Sequence, residues 1–257
     1  MKIEYFNDKV DFLKYLLDVS QSDIEITVSA FLSHKNYLET IHRNLSHYLE
    51  TKNIRSNRLT NEQGEILYCT AKVMQAKNCI ETGAGTGFSS ACILMALEDN
   101  KLGKLCSIDY PNYQAPFKKI KRDLLYRGLG GTFSFSNIRH VCGYFFKKDY
   151  HIPNGFESGW IIPEELRSRW ELYPGLSCAV LPKLVKKIKT INFFLHDSLH
   201  TKKNMLFELR TIWPILKEKG IIFVDNVNLN SAFEAFVNEI KPKRAVFFAT
   251  NFGAILK

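Results

Sequence analysis

The chain has 257 residues, of which 46% are hydrophobic and 24% charged, and its formal net charge is +9. This length suits one large α/β domain, alone or with a helical extension, and the composition is that of an ordinary globular protein. No apolar run approaches the roughly 18 residues that span a bilayer, and the first residues lack the apolar core of a signal peptide. We therefore expect a cytoplasmic protein without a membrane span.

The six cysteines occur singly, without the short spacings of a zinc site or the density of a disulfide framework, so buried free thiols are expected. The positive charge is compatible with nucleic acid, an anionic membrane surface or an acidic substrate. No DNA- or RNA-binding motif accompanies it, so a nucleic-acid partner is an alternative that the sequence does not favour.

Residues 1–58 are predicted to form a helical extension. Apolar residues recur with helical spacing between Asp8 and Val19 and again between Tyr37 and Tyr48. No chemical motif occurs there, so packing is the default role. A lid, a partner surface or a homo-oligomer contact are the alternatives.

Residues 59–257 are predicted to form a Rossmann-like, doubly wound α/β domain with a mostly parallel seven-stranded sheet and an antiparallel C-terminal hairpin. Thr60 and Gln63 form a capping box that starts a helix ending near Gln75. Strands and helices then alternate, as in a parallel sheet. The predicted strands are 78–81, 104–109, 170–173, 191–196, 221–224, 245–249 and 253–256. The predicted helices are 89–97, 163–169, one through residues 181–184, 203–216 and 231–240.

A long insertion is predicted at about residues 110–162, between the second and third of these strands. It is rich in aromatic and basic residues and too long for a simple connection. Loops on α/β domains commonly carry substrate contacts, so this segment is a candidate for the acceptor site. A small core of its own is the alternative role of its aromatic residues, Phe117, Tyr126, Phe133, Phe145, Phe146 and Trp160.

The glycine turn, residues 81–87, has the sequence Glu-Thr-Gly-Ala-Gly-Thr-Gly and lies between a predicted strand and a predicted helix. Its glycines permit a tight turn and let the backbone approach a ligand at the helix N-terminus, where Ser89 and Ser90 add hydroxyl groups. A dinucleotide motif would have its third glycine where this chain has Phe88. Asp109, at the end of the next strand, can accept hydrogen bonds from ribose hydroxyls. The alternatives are a turn without a ligand and an aspartate that caps a helix or turn.

Polar side chains also end two later strands. Asp197 follows the strand 191–196, and Asp225 and Asn226 follow the strand 221–224. Ligands of open α/β sheets bind beyond the carboxyl ends of the strands, and neighbouring strands lie about 4.8 Å apart. Two carboxylates and an amide oxygen suit Mg²⁺ or Ca²⁺. The alternative is that these side chains cap loops or helices.

His200 lies three residues after Asp197 and is a candidate general base. An imidazole with a pKa of about 6.5 can remove a proton near neutral pH. The alternatives are that His200 contacts a metal ligand or that it is an ordinary loop histidine. His196, at the end of its strand, is predicted to be structural.

Several short segments together resemble a bacterial family of class I methyltransferases. The glycine turn resembles the Glu/Asp-x-Gly-x-Gly-x-Gly motif of that class, and the most specific segment is His-Asp-Ser-Leu-His at residues 196–200. The resemblance covers roughly residue 60 to the C-terminus. Its other segments are Gly64–Tyr68, Gly159–Pro163, Arg169–Leu172, Gly175–Ser177 and Phe223–Val227.

The same set of motifs is similar to that of the catechol-type, divalent-metal-dependent O-methyltransferases. This resemblance implies S-adenosylmethionine (SAM) as the cofactor and Mg²⁺ or another divalent cation as the metal. The implied cofactor site consists of Glu81, Gly83, Gly85, Gly87, Ser89, Asp109 and Ser177. Within it, the methionine end of SAM would lie near Glu81, Gly83 and Ser89, the ribose near Asp109 and the adenine near Ser177. The implied metal ligands are Asp197, Asp225 and Asn226.

One residue departs from the catechol-type pattern. His200 stands where those enzymes carry a lysine base, three residues after the first metal-binding acid. The long insertion is also expected to reshape the entrance to the acceptor site.

We therefore expect an enzyme that transfers the methyl group of SAM to a hydroxyl group of a small molecule or sugar, with Asp197 and His200 as catalytic residues. A metal would orient the acceptor and lower its pKa, and His200 would take the proton. Three alternatives stay open: a methyltransferase of RNA or another nucleic acid, a nicotinamide-dependent oxidoreductase, and a cofactor-binding protein without turnover.

Overall fold

An eight-stranded sheet forms the centre of the computed structural model, which describes residues 2–52, 60–110 and 156–257. The strands are β1 (Glu4–Phe6), β2 (Asn78–Thr82), β3 (Lys104–Asp109), β4 (Trp170–Pro174), β5 (Ile191–His196), β6 (Leu216–Asp225), β7 (Arg244–Phe248) and β8 (Phe252–Leu256). They lie in the order β1-β7-β8-β6-β5-β2-β3-β4. β8 runs antiparallel to both β6 and β7, whereas the remaining neighbours are parallel.

Helices cover both faces of this sheet. They are α1 (Lys9–Leu17), α2 (Gln21–Ser33), α3 (Lys35–Lys52), α4 (Asn61–Val73), α5 (Phe88–Asp99), α6 (Ser177–Ile188), α7 (Lys202–Ile212) and α8 (Ala232–Ile240). The first five share a core with the sheet face that carries Phe193 and Phe223. The last three cover Phe194 and Ile222 on the other face. Since both faces are covered, the central strands are continuous apolar runs, and the predicted doubly wound fold is confirmed.

The predicted number of seven strands is wrong, because the N-terminal segment contributes an eighth. β1 pairs in parallel with β7, placing Glu4 opposite Val246 and Phe6 opposite Phe248. Three residues are too few to show the alternation of apolar and polar side chains by which a strand is recognised in a sequence. The segment predicted as a helical extension therefore begins as an edge strand of the sheet.

The N-terminal helices pack directly on the α/β fold. Phe12 and Ile24 are fully buried in the first core, together with residues of α4 and α5. Lys9 Nζ lies 2.7 Å from a carboxylate oxygen of Glu65 in α4. The division of the chain into an extension and a domain stays a prediction.

The strand β6 begins at Leu216, five residues earlier than the predicted start at residue 221, and α7 ends at Ile212. A short 3₁₀ helix at Trp213–Ile215 separates the two. It contains Pro214, which has no N–H group with which to continue an α-helix. Residues Lys217–Lys219, near the start of β6, are charged and exposed, so the hydrophobic pattern of the sequence predicts only the second half of this strand.

Most of the predicted insertion, residues 111–155, lies outside the described residues, together with five of its six named aromatic side chains. The described end of the insertion contacts the glycine turn. Gly159 N–H donates to the carbonyl oxygen of Gly85 at 2.9 Å, and Ile161 N–H donates to that of Thr86 at 3.1 Å. The insertion therefore returns to the sheet at the glycine turn.

The described cysteines are free thiols, of which Cys178 alone is exposed. This agrees with the expectation of buried thiols at the other four positions, whereas Cys142 lies outside the described residues. In the described parts of the chain, no helix is both long and apolar enough to cross a membrane.

The contact between α4 and α5 depends on Gly64. A Cβ atom at this position would lie 2.8 Å from Phe88 Cε1 and 2.9 Å from Cys92 Sγ. We expect Gly64→Ala to lower the free energy of unfolding by about 1–3 kcal/mol, because overpacking outweighs the roughly 1 kcal/mol that alanine gains in helix propensity. Urea denaturation measures the change. The exposed control Glu62→Ala should stay within about 0.5 kcal/mol of the wild type, and an equally small effect of Gly64→Ala would contradict the expectation.

Candidate functional site

The predicted site residues meet at the carboxyl edge of the sheet, where β2, β3, β5 and β6 end. Gly83 N–H donates to the carbonyl oxygen of Ile108 in β3 at 2.8 Å, and Asp197 N–H donates to that of Thr82 in β2 at 2.9 Å. These bonds join the residues that follow three neighbouring strands. Ligands of open α/β sheets bind at such an edge.

The three glycines of the glycine turn all have left-handed backbone angles, with φ of 89° at Gly83, 51° at Gly85 and 99° at Gly87. A Cβ atom on Gly83 would lie 2.0 Å from the carbonyl oxygen of Asp197, whereas one on Gly85 would meet no atom of the described residues within 4 Å. Gly83 is therefore required by the fold. Within the described part of the chain, Gly85 leaves open space beside the turn, which is what a ligand approaching the backbone needs.

Phe88 stands at the position where a dinucleotide-binding motif has its third glycine. Its side chain is only 3% exposed and packs in the first core beside Gly64. Phe88 is therefore a core residue, and this position offers no close backbone approach to a pyrophosphate.

Glu81 lies at the base of the turn and is fully buried. It accepts hydrogen bonds from the hydroxyl groups of Ser89, of Ser90 at 2.5 Å and of Ser107 at 2.7 Å. Burial raises the pKa of Glu81, and these hydroxyl donors oppose the rise. Glu81 and Ser89 thus bond to each other. The sequence analysis identified the hydroxyl groups of Ser89 and Ser90 but not that of Ser107, although a hydroxyl in an apolar strand is a signal for such a partner.

Asp109 connects the glycine turn to the end of the insertion. One carboxylate oxygen accepts hydrogen bonds from Gly85 N–H at 3.1 Å and from the Ser158 hydroxyl. The other accepts from Tyr110 N–H at 2.9 Å. Asp109 therefore lies beside the turn, as predicted, and Ser158 is a neighbour that the sequence analysis missed.

Asp197, His200 and Asp225 form a group that we call the acidic cluster. One ligand atom from each lies within 4.8 Å of the others. His200 Nε2 is 3.5 Å from Asp197 Oδ1 and 3.9 Å from Asp225 Oδ2. His200 Nε2 and Asp225 Oδ1 are buried without a hydrogen-bond partner among the described residues, which is uncommon in proteins. Carboxylate oxygens and an imidazole nitrogen are donors that fit a divalent cation.

The charge state of the acidic cluster also favours a cation. Burial raises the pKa of Asp197 well above its usual value, and the charge of Glu81 adds to the rise. Burial and the charge of Asp197 raise the pKa of Asp225 to about 7. Burial lowers the pKa of His200. Carboxylates crowded in a medium of low polarity repel one another, and a bound cation would relieve that repulsion.

Asn226, the third predicted metal ligand, lies next to the acidic cluster. Its side-chain amide donates a hydrogen bond to Asp225 Oδ2, and its backbone is left-handed, with φ of 54°. The structure thus brings Asp197 and Asp225 together and adds His200 to them. The signal for His200 was its spacing of three residues from Asp197.

A second buried carboxylate, Glu208 in α7, was missed by the sequence analysis. It accepts hydrogen bonds from Thr82 Oγ1 at 2.6 Å, His196 Nδ1 at 2.6 Å, Ser198 Oγ at 2.7 Å and Asn204 Nδ2 at 3.0 Å. We call these five residues the Glu208 network. Burial alone would raise the pKa of Glu208, but His196 and the hydroxyl donors bring it down to about 2, so the carboxylate is ionised.

Ser177, the predicted adenine contact, opens α6 at the border of the Glu208 network. Its hydroxyl donates to Asn204 Oδ1 at 3.4 Å and contributes to lowering the pKa of Glu208. His196, predicted to be structural, is fully buried in the same network.

Comparisons with known proteins bear on the family and the fold of the chain. A family model described as a methyltransferase domain matches residues 80–227, which is more than half of the chain. A search of curated proteins found no match.

Two solved structures are similar in fold. The O-methyltransferase TomG from Streptomyces achromogenes, in complex with SAM, has 14% identity and a TM-score of 0.53 over 85% of this chain and 90% of its own. The O-methyltransferase from Bacillus cereus, in complex with SAH, has 15% identity and a TM-score of 0.51 over 91% of this chain and 100% of its own. The predicted class I methyltransferase fold is thereby confirmed, and the chain belongs to the methyltransferase domain family.

Proposed function

We propose that this protein is a SAM-dependent O-methyltransferase that acts on a hydroxyl group of a small molecule or sugar with the help of a divalent cation. The observation that carries the proposal is the junction of an open glycine turn with the acidic cluster at one sheet edge. The O-methyltransferases from S. achromogenes and B. cereus, solved with SAM and SAH, share this fold.

The cofactor would lie against the glycine turn. The open space at Gly85 gives access to the backbone, and Asp109 beside it would accept a hydrogen bond from the ribose in exchange for that of Ser158. Through their hydrogen bond, Glu81 and Ser89 would fix the glycine turn and the start of α5 next to the methionine end of SAM. Ser177, at the start of α6, would lie toward the adenine.

The cation would be held by Asp197 and Asp225, with Asn226 beside them. The unpartnered buried atom Asp225 Oδ1 fits this role, whereas His200 Nε2 would stay uncoordinated. When bound, a divalent cation supplies Lewis-acid activation and orientation of a hydroxyl group.

The chain itself would place the two reactants and take up the proton. SAM held at the glycine turn and Asp109 would supply the methyl group, and the acceptor hydroxyl would give up its proton to a residue of the chain. His200 is the proposed acceptor of this proton, because its lowered pKa keeps the imidazole neutral. Since the sulfonium is already an activated donor, alignment of the reactants is the main task of the protein.

Binding of SAM is the first test of the proposal. Calorimetric titration with SAM, in Mg²⁺ and again in EDTA, should give saturable binding at one site per chain. NADH should give no heat of binding, because Phe88 closes the dinucleotide position. Absence of SAM binding in both buffers would refute the proposed function.

The two glycines with similar backbone angles should behave differently. Gly85→Ala should fold at a cost of roughly 1–2 kcal/mol, the penalty of a left-handed alanine, and should weaken SAM binding at least tenfold because the methyl group enters the ligand's space. Gly83→Ala should lose far more stability, since its methyl group overlaps the Asp197 carbonyl. Thermal unfolding and calorimetry separate the two effects. Wild-type affinity in Gly85→Ala would argue against cofactor binding at this turn.

Removal of one carboxylate tests the metal site. Asp197→Asn should weaken Mn²⁺ binding, followed by electron paramagnetic resonance, at least tenfold while changing SAM affinity much less. The matched control is Asp11→Asn, at a side chain 61% exposed in α1, which should leave both affinities unchanged. Equal loss of SAM and Mn²⁺ binding in Asp197→Asn would remove the metal from the proposal.

A further inference from the structure

The carboxylate of Glu208 is shared between segments far apart in the chain. Its Oε2 atom accepts from Thr82, at the end of β2, and from His196, at the end of β5. Its Oε1 atom accepts from Ser198 and Asn204. Glu208 is fully buried, and a buried charge is costly unless its partners satisfy it. Here every described bond leads to the edge of the sheet that carries the proposed site.

The segments joined by Glu208 are two of those that form the site. Thr82 immediately precedes Gly83, and Asp197 immediately follows His196. The backbones of Thr82 and Asp197 are hydrogen-bonded at 2.9 Å, and the Asp197 carbonyl occupies the space beside Gly83. Glu208 joins the same two segments through the side chains of Thr82 and His196.

The loop after β5, which carries Asp197 and His200 of the acidic cluster, is held by the same group of donors. Asn204 Nδ2 donates to the Leu199 carbonyl at 3.1 Å as well as to Glu208. The ring of His196, fixed by its bond to Glu208, meets the ring of His200 edge to face with centroids 5.5 Å apart. Because Glu208 fixes the ring of His196, it also affects the orientation of the His200 ring that packs against it.

We propose that Glu208 is a positioning residue that couples the glycine turn to the acidic cluster, so that binding of SAM and binding of a divalent cation affect each other. This inference rests on the proposed function. Both ligands would be bound by segments that one carboxylate holds in register, and a change in the position of one segment is transmitted to the other. Coupling of this kind is reciprocal.

The substitution Glu208→Gln tests the carboxylate without creating a cavity. Glutamine has nearly the same shape, but its NH₂ group faces donors where Glu208 presents an acceptor, so at least one side of the network loses its bond. Glu239→Gln is the matched control. Glu239 is an exposed residue of α8 whose carboxylate pairs with Arg210 of α7 at 2.6 Å.

The measurement is the dissociation constant of SAM with and without Mn²⁺, and that of Mn²⁺ with and without SAM. In the wild type and in Glu239→Gln, each ligand should change the affinity of the other at least fivefold. In Glu208→Gln the change should fall below twofold. Wild-type coupling in Glu208→Gln, or no coupling in a wild type that binds both ligands, would overturn the inference. A wild type that does not bind SAM would instead refute the proposed function.

Two milder variants serve if Glu208→Gln does not fold. Thr82→Val removes the donor on the glycine-turn side and should weaken SAM binding more than Mn²⁺ binding. Ser198→Ala removes a donor on the side of the acidic cluster and should weaken Mn²⁺ binding more than SAM binding. The double variant should depart from additivity, because both donors act on one carboxylate. Additive effects would show independent packing and would also overturn the inference.

Discussion

The close contact between Gly83 and the Asp197 carbonyl is the constraint on which the rest of the site depends. A side chain on Gly83 would overlap that oxygen, so the turn after β2 and the loop after β5 lie side by side only because one of them has no Cβ atom. The hydrogen bond from Asp197 to Thr82 fixes their register. This contact joins the glycine turn and the acidic cluster into one continuous surface.

Buried carboxylates at this edge fall into two groups. Glu81 and Glu208 accept hydrogen bonds from three and four side chains respectively, so they are satisfied by the protein itself. Asp225 retains an oxygen without a partner, beside Asp197 and His200. Since burial of an unsatisfied polar atom is costly, the first group stabilises the framework and the second is where a ligand is expected.

The sequence analysis predicted the parts of this fold that have a long, regular pattern. The central strands were located because both of their faces are buried, whereas β1 and the charged start of β6 carry no such pattern. The glycine turn, Asp109, Asp197 and Asp225 were found because each lies at or directly after the end of a strand, and His200 was found because it lies three residues after Asp197. Glu208 was missed because a glutamate in a helix is usually solvated. The sequence does contain a signal for burial of Glu208, because Glu208 lies on the same buried face of α7 as Met205, Leu209 and Ile212.

The distribution of charge bears on the kind of acceptor. The net charge of +9 is compatible with a polyanion, yet the described edge of the sheet carries the carboxylates of Asp109, Asp197 and Asp225. The lysines in α6 and directly after it are exposed. They lie toward the C-terminus of the helix, where the helix dipole favours positive charge. Because α6 begins with Ser177 at the Glu208 network, Lys187 and Lys189 lie on the order of 15 Å along the helix from that network. Under the proposed function, this positive charge therefore lies away from the acceptor site and does not favour a nucleic acid over a neutral small molecule or sugar as the acceptor.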